Sequence, residues 1–400
     1  MGNERSAARG GNTTGRCMSI SKWKSVLSRA GGSLSSSYTL GMFQRAQKKV
    51  PEPLGLSKER AQSNDCRNTG WPFPQFISLF FPVFPYRSRQ VEQEFQDIEF
   101  IAKGSFGPIL KVCQRTDEQI YAVKVLLKAE VVRQGTLQQC KDGVIIQKQV
   151  HHPFVQSLRE CWQTSRLLFI MCDYHSAGDL YMLWRACGPF GEGRVRVFAA
   201  ELGSAIGFLH DFGIVHRDVK MENVLLNERG HLRLTDFGLC RRLCRGERAY
   251  TICGTVQYMA PEVLRGSPYN HAADWWSLGV LLFALVTGKF PVEPQCDHIS
   301  MLVSVEQADI VPPNTISQHL AILITELLCS DPWIRLHRLD VFREHRFFQG
   351  LSFDPDSLQK LPLEMHLSTE KQSTQVKPDP NPFRGFDWEL PRVSRLPLAG

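Results

Sequence analysis

One stretch, residues 216–238 with the sequence HRDVKMENVLLNERGHLRLTDFG, limits the possible folds of this chain more than any other. Two short apolar runs, at 224–226 and 232–234, flank a turn at 227–230 that contains Asn and Gly. Apolar runs separated by such turn residues are typical of paired strands. The sequence therefore predicts a strand, a turn and a second strand in this part of the chain.

Four polar side chains lie around this predicted hairpin: Asp218, Lys220, Asn223 and Asp236. The hairpin would bring Asp218, Asn223 and Asp236 to one edge. Magnesium ions that bridge a triphosphate need oxygen ligands, and a hydroxyl nucleophile needs a nearby carboxylate to accept its proton. The pattern therefore indicates a site for phosphoryl transfer.

The order of these residues resembles the catalytic and magnesium loops of the protein kinases, and the chain is identified as similar to the AGC group near the ribosomal S6 kinase-related branch. The resemblance implies an α+β bilobal fold, with a small β-rich lobe and a larger, mainly helical lobe. It covers residues 97–348, with a further fragment at 383–388. The implied division is a small lobe at 97–172, a hinge at 173–177, a large lobe at 178–348 and a C-terminal tail at 349–400.

The start of the implied domain resembles the glycine-rich loop that covers ATP phosphates. Glycine lets the backbone approach anionic oxygens closely. The family's first glycine is replaced by Ala102, and Pro108 removes one backbone donor. In the run TyrAlaValLysVal, Lys124 is the residue that would pair with the α- and β-phosphates. The loop residues implied to bind ATP are Ala102, Lys103, Gly104, Ser105, Phe106, Gly107 and Ile109.

The chain departs from the family at the position of the glutamate that pairs with the nucleotide-binding lysine. The family's spacing puts the glutamate that holds Lys124 at Gly143, and the adjacent Asp142 would lie about 100° away around a helix. Glycine also costs roughly 1 kcal/mol of helix stability against alanine. Weakened activity is therefore expected, and a Gly143→Glu variant is expected to raise turnover if this position limits it.

The resemblance assigns the catalytic roles residue by residue. Asp218 is the implied base, which orients the substrate hydroxyl, and Lys220 would neutralise charge on the γ-phosphoryl group. Asn223 and Asp236 would hold Mg²⁺. The implied cofactors are ATP and Mg²⁺.

Further positions bear on the substrate and on regulation. Glu222 matches an acid that favours arginine near the substrate hydroxyl, and Thr255 resembles the floor of the substrate site. Asp179 matches either a second substrate-binding acid or a helix N-terminal charge. Thr251 stands at the activation-loop phosphorylation position, where an upstream kinase would modify it and Arg217 would pair with the phosphate.

Other matches imply architecture. Glu262 and Arg335 are expected to form a buried ion pair, and Asp274 is expected to brace the catalytic loop. Cys172 aligns next to the adenine pocket. The tail fragment resembles a hydrophobic motif, whose aromatic residues dock in a groove of the small lobe and steady its helix; its residues are Phe383, Phe386, Asp387 and Trp388, with Asp387 at the phosphosite.

Composition and charge bound the rest of the chain. Its 400 residues are 43% hydrophobic and 22% charged, as is usual for a folded, soluble chain. The net charge of +7 arises at the N-terminus, where residues 1–50 hold nine Lys or Arg against one acid. Twelve cysteines occur without a CxxC pair or a secretory signal, which favours reduced thiols in a cytoplasmic protein.

The N-terminal region is expected to lie outside the folded domain. Residues 1–70 read as a basic, disordered segment whose first residues, MGNERS, fit the pattern for myristoylation of Gly2. The basic charge would support peripheral membrane contact; the alternative is an unmodified flexible tail. Residues 71–96 are rich in aromatic residues and proline, and the aromatic run is too short and too often broken to span a bilayer. It is expected to pack as an extended strap.

The leading hypothesis is an ATP-dependent kinase that phosphorylates Ser or Thr hydroxyls of proteins, near basic residues, in intracellular signalling. The alternative is a pseudokinase, which keeps the fold but has little or no catalysis; Ala102, Pro108 and Gly143 favour it. The presence of Lys124 and of the four catalytic-loop and magnesium-loop residues favours the enzyme. No nucleic-acid partner is expected, because no recognised module accompanies the basic N-terminus.

Overall fold

A computed structural model of the protein describes residues 75–87, 94–104 and 107–363. Gly2, the basic N-terminal segment and the fragment 383–388 lie outside the described residues. The described chain forms a small lobe built on a β-sheet and a larger lobe of helices, as the α+β prediction requires. The predicted bilobal fold is therefore confirmed.

The small lobe is a five-stranded antiparallel sheet with the strand order β1-β2-β3-β5-β4. Along β3, Val123 and Val125 are buried in the lobe's core, and Lys124 between them faces the other side because side chains alternate along a strand. The strands are β1 (Phe95–Gly104), β2 (Gly107–Gln114), β3 (Ile120–Leu127), β4 (Leu158–Gln163) and β5 (Leu167–Asp173).

Two helices connect β3 to β4: α2 (Lys128–Arg133) and α3 (Leu137–Gln149). Helix α3 has a weakly apolar sequence, LQQCKDGVIIQKQ, with Gly143 near its middle. Propensity alone does not favour a long helix here, so its packing between neighbours must hold it. That packing brings α3 against the residues that follow Asp236.

The aromatic segment before β1 packs on the small lobe but is not an extended strap. It begins with a short helix, α1 (Gln75–Ser78), and continues through turns to Phe84. The segment folds back on itself because burying both Phe80 and Phe84 requires a compact path, and both side chains are fully buried. Residues 75–87 are called the aromatic strap below.

The large lobe surrounds α7 (Ala272–Thr287), a helix that is buried along almost its whole length. Its nearly continuous apolar sequence explains this position at the centre of the core. None of the helices in the described part of the chain is long and apolar enough to cross a membrane. The other helices of this lobe are α4 (Leu180–Cys187), α5 (Glu192–Asp211), α6 (Pro261–Leu264), α8 (His298–Gln307), α9 (Gln318–Leu327), α10 (Leu339–Glu344) and α11 (Pro355–Leu358).

Two small antiparallel pairs lie where the lobes meet. The predicted hairpin is confirmed, with strands β7 (Val224–Leu226) and β8 (Leu232–Leu234) paired in register. The other pair joins β6 (Ile214–Val215) to β9 (Arg241–Arg242). Together these pairs fix the ends of the segment that carries the predicted catalytic residues.

The predicted structural contacts of the large lobe are also confirmed. Arg335 donates from Nη1 and Nη2 to the two carboxylate oxygens of Glu262, at 2.7 and 2.9 Å, and both residues are buried. The carboxylate of Asp274 accepts hydrogen bonds from the backbone N–H groups of His216 and Arg217, each at 2.8 Å. A buried helix thereby holds the start of the catalytic loop.

Candidate active site

The hairpin positions Asp218 and Asn223 beside each other. A single turn of 3-10 helix, Met221–Asn223, leads into β7. The side-chain amide of Asn223 donates to both the backbone carbonyl and Oδ2 of Asp218, at 2.9 and 2.8 Å. Both donor hydrogens are thus used within the loop, which leaves the amide oxygen of Asn223 as its free acceptor.

Asp218 is the centre of a small polar network. Its Oδ1 accepts from the hydroxyl of Thr255 at 2.7 Å, and Lys220 Nζ lies 2.9 Å from its Oδ2. Lys220 also donates to Thr255 at 2.7 Å. Burial alone would lower the pKa of Lys220, but the Asp218 carboxylate raises it above its ordinary value. Lys220 is therefore a fixed positive charge beside the predicted base.

Asp236 and Lys124 form an ion pair that joins the two lobes. Lys124 Nζ lies 3.0 Å from Asp236 Oδ1. The positive charge of Lys124 lowers the pKa of Asp236 to about 2, against the effect of burial. Asp236 also has a left-handed backbone, with φ of 62°, and its carboxylate caps the turn Phe237–Leu239 by accepting from the N–H of Gly238. The carboxylate is therefore ionised at neutral pH.

The glycine-rich loop lies close to this pair. A Cβ added at Gly104 would come within 3.1 Å of the carbonyl oxygen of Gly107 and 3.6 Å of Lys124 Cε. Ala102 and Lys103 belong to β1, where they pair with Ile109 and Pro108. Ser105 and Phe106 lie outside the described residues.

At Gly143, helix α3 packs closely on residues 236–238, which are called the magnesium loop here. A Cβ at this position would lie 2.5 Å from the carbonyl oxygen of Phe237, a distance that real side chains do not adopt. The helix packs directly on the loop's backbone, and Gln139, one turn earlier, donates to the carbonyl of Gly238 at 2.7 Å. A glutamate side chain has no room here unless α3 moves, which argues against the prediction that Gly143→Glu raises turnover. Lys124 has its ionic partner in Asp236 instead.

Two buried glutamines, Gln147 and Gln156, connect α3 to the start of the hinge. The sequence analysis did not identify either of them. Gln147, two turns after Gln139 on the same face of α3, donates to the backbone carbonyl of Gln156 at 3.2 Å and to Cys172 Sγ at 3.5 Å. Gln156 donates to the carbonyl of Asp173 at 2.8 Å and so fixes the start of the hinge. Gln139, Gly143 and Gln147 are spaced four residues apart, so they lie on one face of α3. This spacing in the sequence could have identified the helix face that supports the site.

An open cavity of about 500 Å³ lies between α3 and the large lobe, and residues 239–242, 251 and 253 line it together with α3. The exposed Thr251 and three arginines are among its lining residues. Arg217 donates from Nε to the carbonyl of Leu239 at 2.6 Å, and the Tyr269 hydroxyl donates to the carbonyl of Thr251 at 2.8 Å. The arginines on this cavity are Arg217, Arg241 and Arg242.

The predicted substrate acids occupy different environments. Glu222 is exposed beside the catalytic loop. Asp179 accepts a hydrogen bond from the N–H of Met182 at 2.8 Å and caps α4, so its helix-terminal role is present in the structure. Burial raises the pKa of Asp179 above its ordinary value.

The donor set fits Mg²⁺ held jointly with a nucleotide. In the described part of the chain, no group of three or more His, Cys, Asp or Glu side chains forms a metal site. Asp236 and Asn223 offer one carboxylate and one amide oxygen, which are hard ligands of the kind that Mg²⁺ prefers. With these two protein ligands, such a site would be completed by phosphate oxygens of a nucleotide and by water.

Comparison with known proteins agrees with this geometry. The model of the protein kinase domain family matches residues 95–348. Ribosomal protein S6 kinase-related protein of Homo sapiens is 54% identical over 329 residues, which are 82% of this chain and 80% of that protein.

Two further relatives are more distant. Serine/threonine-protein kinase Sgk1 of Fundulus heteroclitus is 35% identical over 74% of this chain and 68% of its own length. Serine/threonine-protein kinase AtPK1/AtPK6 of Arabidopsis thaliana is 33% identical over 65% of this chain and 56% of its own length. The pseudokinase alternative is not favoured by these relatives. The chain belongs to the protein kinase family and is a serine/threonine kinase of the AGC group.

Proposed function

We propose that the protein transfers the γ-phosphoryl group of ATP, with Mg²⁺, to Ser or Thr hydroxyls that lie near basic residues of its substrates. The observation that carries the proposal is the network around Asp218, where Lys220 and Thr255 both contact its carboxylate. Bound ATP and Mg²⁺ would supply the phosphoryl group and much of the charge that stabilises the transition state.

The residues of the chain have distinct tasks in this proposal. Asp218 orients the substrate hydroxyl through one carboxylate oxygen and accepts its proton as the new oxygen–phosphorus bond forms and the bond from the γ-phosphorus to the departing ADP oxygen breaks. Lys220, held by Thr255, stabilises negative charge next to that oxygen. Asp236 and Asn223 hold the metal. Lys124, which contacts Asp236 in this structure, would bind the nucleotide phosphates.

The decisive test is phosphorylation of a basic Ser/Thr peptide by the purified protein. We expect phosphopeptide to form with the wild-type chain and not with Asp236→Ala, because the variant loses a metal ligand. Equal residual signal in the two proteins would overturn the proposal. The Tm of the variant, compared with that of the wild-type chain, separates loss of the metal ligand from loss of folding.

The preference for basic substrates rests on Glu222, which is exposed next to the catalytic loop. A carboxylate there would pair with an arginine of the substrate. Glu222→Gln is expected to raise the KM of an arginine-containing peptide and to leave the KM of its alanine analogue unchanged. The same change in KM for both peptides would contradict the assignment.

Regulation by phosphorylation of Thr251 is the second part of the proposal. The Thr251 side chain is exposed, and three arginines line the same cavity. A phosphate on Thr251 would add charge that these arginines can pair with, which would order the activation segment. We expect Thr251→Ala to remove the activation that an upstream kinase produces, measured as kcat before and after phosphorylation.

The N-terminus suggests where the protein acts. We propose a cytoplasmic protein with peripheral membrane contact, through myristoylation of Gly2 and the basic charge of residues 1–50. Coexpression with an N-myristoyltransferase should yield a chain that sediments with acidic lipid vesicles, and Gly2→Ala should not sediment. Equal sedimentation of both chains would contradict the role of acylation.

A further inference from the structure

The aromatic strap covers an apolar surface of the small lobe next to helix α3. Phe80 and Phe84 are fully buried and pack edge-to-face, with ring centroids 6.4 Å apart. The strap residues share one apolar cluster with residues of β3, α2, α3, β4 and β5. The members of this cluster on the lobe are Leu126, Val131, Val144, Cys161 and Leu168, with Leu137, Cys140, Leu158 and Ile170 packed against them.

Backbone hydrogen bonds hold the strap to the end of β4. The side-chain amide of Gln163 donates to the carbonyl of Phe84 at 2.6 Å, and its backbone N–H donates to Pro85 at 2.9 Å. The thiol of Cys161 donates to the carbonyl of Val83 at 3.2 Å. The strap is therefore docked by specific polar contacts as well as by burial of its aromatic rings.

Two lysines complete this interface. Lys141, on α3, donates to the carbonyl of Phe81 at 3.1 Å. Lys128 is fully buried with its Nζ 5.1 Å from the ring centroid of Phe80, and it donates to the carbonyl of Thr164 at 2.7 Å. A buried ammonium group placed over an aromatic face is stabilised by that ring. Removing Phe80 would therefore deprive Lys128 of part of its environment.

Helix α3 lies between the strap and the magnesium loop. Val144 belongs to the cluster that contains Phe80 and Phe84, and Lys141 bonds to the strap backbone. From the same helix, Gln139 donates to Gly238, and Gly143 packs on the carbonyl of Phe237. A shift of α3 toward the strap side would open the contact that holds the magnesium loop.

We propose that the aromatic strap is a positioning element of this kinase, in which Phe80 and Phe84 press α3 against the magnesium loop and so align Asp236. The strap thus docks aromatic residues on the small lobe and steadies its helix, which is the task that the family resemblance assigns to the fragment 383–388. Phe80 and Phe84 already cover this surface, so docking of that fragment on it would require the strap to leave. This inference rests on the proposed kinase function only for the measurement of kcat/KM, because alkylation and hydrogen exchange do not require activity.

The test compares two variants of the full chain. Phe80→Ala/Phe84→Ala removes both buried rings, and Leu79→Ala, whose side chain is 39% exposed in the same segment, is the matched control. Three quantities are measured: the alkylation rate of Cys161 relative to the exposed Cys187, amide hydrogen exchange of α3, and kcat and KM for ATP. Cys161 reports release of the strap because its thiol bonds to Val83.

For the double variant we expect alkylation of Cys161 and exchange of the α3 amides each to rise about tenfold or more, since local opening exposes both. We expect kcat/KM for ATP to fall by about tenfold, with exchange in α7 unchanged because that helix lies in the other lobe. Leu79→Ala should stay within about twofold of wild type in all three. A milder variant, Phe84→Leu, should change Cys161 alkylation, α3 exchange and kcat/KM for ATP in the same directions but by smaller factors.

Two results would overturn the proposal. One is release of the strap, seen at Cys161, with unchanged α3 exchange and unchanged kcat/KM. The other is loss of activity while Cys161 stays protected. If the double variant does not fold, Phe84→Leu decides by the same criteria. If the wild-type chain transfers no phosphate, the proposed function fails, whereas hydrogen exchange of α3 still decides the role of the strap.

Discussion

The two halves of the active site are built in different ways. In the lower half, on the large lobe, Asp218 has three side-chain partners, which are Lys220, Asn223 and Thr255. In the upper half, on the small lobe, Lys124 pairs with Asp236, an acid that belongs to the lower half. The catalytic loop is thus supported from within its own lobe, whereas the nucleotide-binding lysine depends on how the lobes meet.

The difference comes from the helix that supports each half. The lower half is held by Asp274 on α7, a helix buried in the core of the large lobe. The upper half is held by α3, whose contacts with the magnesium loop are one side-chain hydrogen bond and a close backbone approach at Gly143. We infer that substitutions in the lower half alter chemistry, whereas substitutions in the upper half alter alignment and stability together.

The largest effect is expected at the predicted base. Asp218→Asn removes the proton acceptor and keeps a side chain of similar size, so kcat should fall by about 10²–10⁴. The KM for ATP should change little, since the side-chain contacts of Asp218 in the described part of the chain are with Lys220, Asn223 and Thr255 of the large lobe. Steady-state kinetics with a Ser peptide checks both values. A variant that retains more than a tenth of wild-type kcat would contradict the role of Asp218.

Local patterns predicted the lower half well. The hairpin with Asp218, Asn223 and Asp236 at one edge follows from apolar runs and turn residues within one stretch of chain, and such signals depend on near neighbours. The contacts made by Asp274 and Arg335 were predicted through the family resemblance, and the structure shows both.

The upper half was less predictable because its contacts join distant parts of the chain. Lys124 and Asp236 are 112 positions apart in sequence, and no local pattern specifies their pairing. Gly143 was interpreted as a lost charge, whereas its function in the structure is to let two backbones approach. The strap's short helix was also missed, because the prolines favoured an extended path and the burial of Phe80 and Phe84 could not be foreseen.

Gly143→Glu therefore provides the sharpest test of the upper half. Its Cβ would overlap the carbonyl of Phe237, so α3 must move and the magnesium loop loses its support. We expect kcat/KM for ATP to fall by about tenfold and the free energy of unfolding to fall by about 1–3 kcal/mol, as overpacking in a core usually does. Kinetics and chemical denaturation measure the two effects. A gain in turnover would show that α3 can move without cost.

Gly143→Ala isolates the steric effect from charge. Alanine in a helix interior usually stabilises by up to roughly 1 kcal/mol relative to glycine, but here overpacking should outweigh that gain. The control is Gly193→Ala in helix α5, where a Cβ would meet no atom within 4 Å. We expect a lower Tm for the first variant and an equal or higher Tm for the second. A rise in both would mean that the close approach at Phe237 is not limiting.

A smaller effect is expected from the side-chain hydrogen bond by which Gln139 of α3 holds the loop. Gln139→Leu removes the donor to the carbonyl of Gly238, which should cost about 0.5–1.5 kcal/mol of stability. The KM for ATP should rise, because Asp236 is two residues from the lost contact. Gln138→Leu is the control, since Gln138 is exposed and its side-chain amide donates to the half-buried Asp142 on the same helix rather than to the loop. Equal KM values for the two variants would show that Gln139 does not help to position Asp236.

The smallest expected effect concerns pH and the junction between the halves. His152, which follows α3, stacks on Phe208 of the large lobe with ring centroids 4.8 Å apart. Burial, aided by the charge of Arg233, lowers the pKa of His152 to about 4. The folded protein therefore resists protonation of this ring, whereas the unfolded chain takes up a proton near pH 6.5.

The stability associated with neutral His152 is thus fully present above pH 6.5 and is lost as the pH falls from 6.5 to about 4. His152→Phe keeps an aromatic ring and removes the titration, so its stability should fall less over this range. The difference should be on the order of 1 kcal/mol, because solvent screens a partly exposed site. Tm values measured between pH 7 and pH 5 provide the comparison, and His175, whose pKa is also lowered by burial, supplies part of the slope that remains. The same slope in both proteins would show that the junction does not depend on the charge of His152.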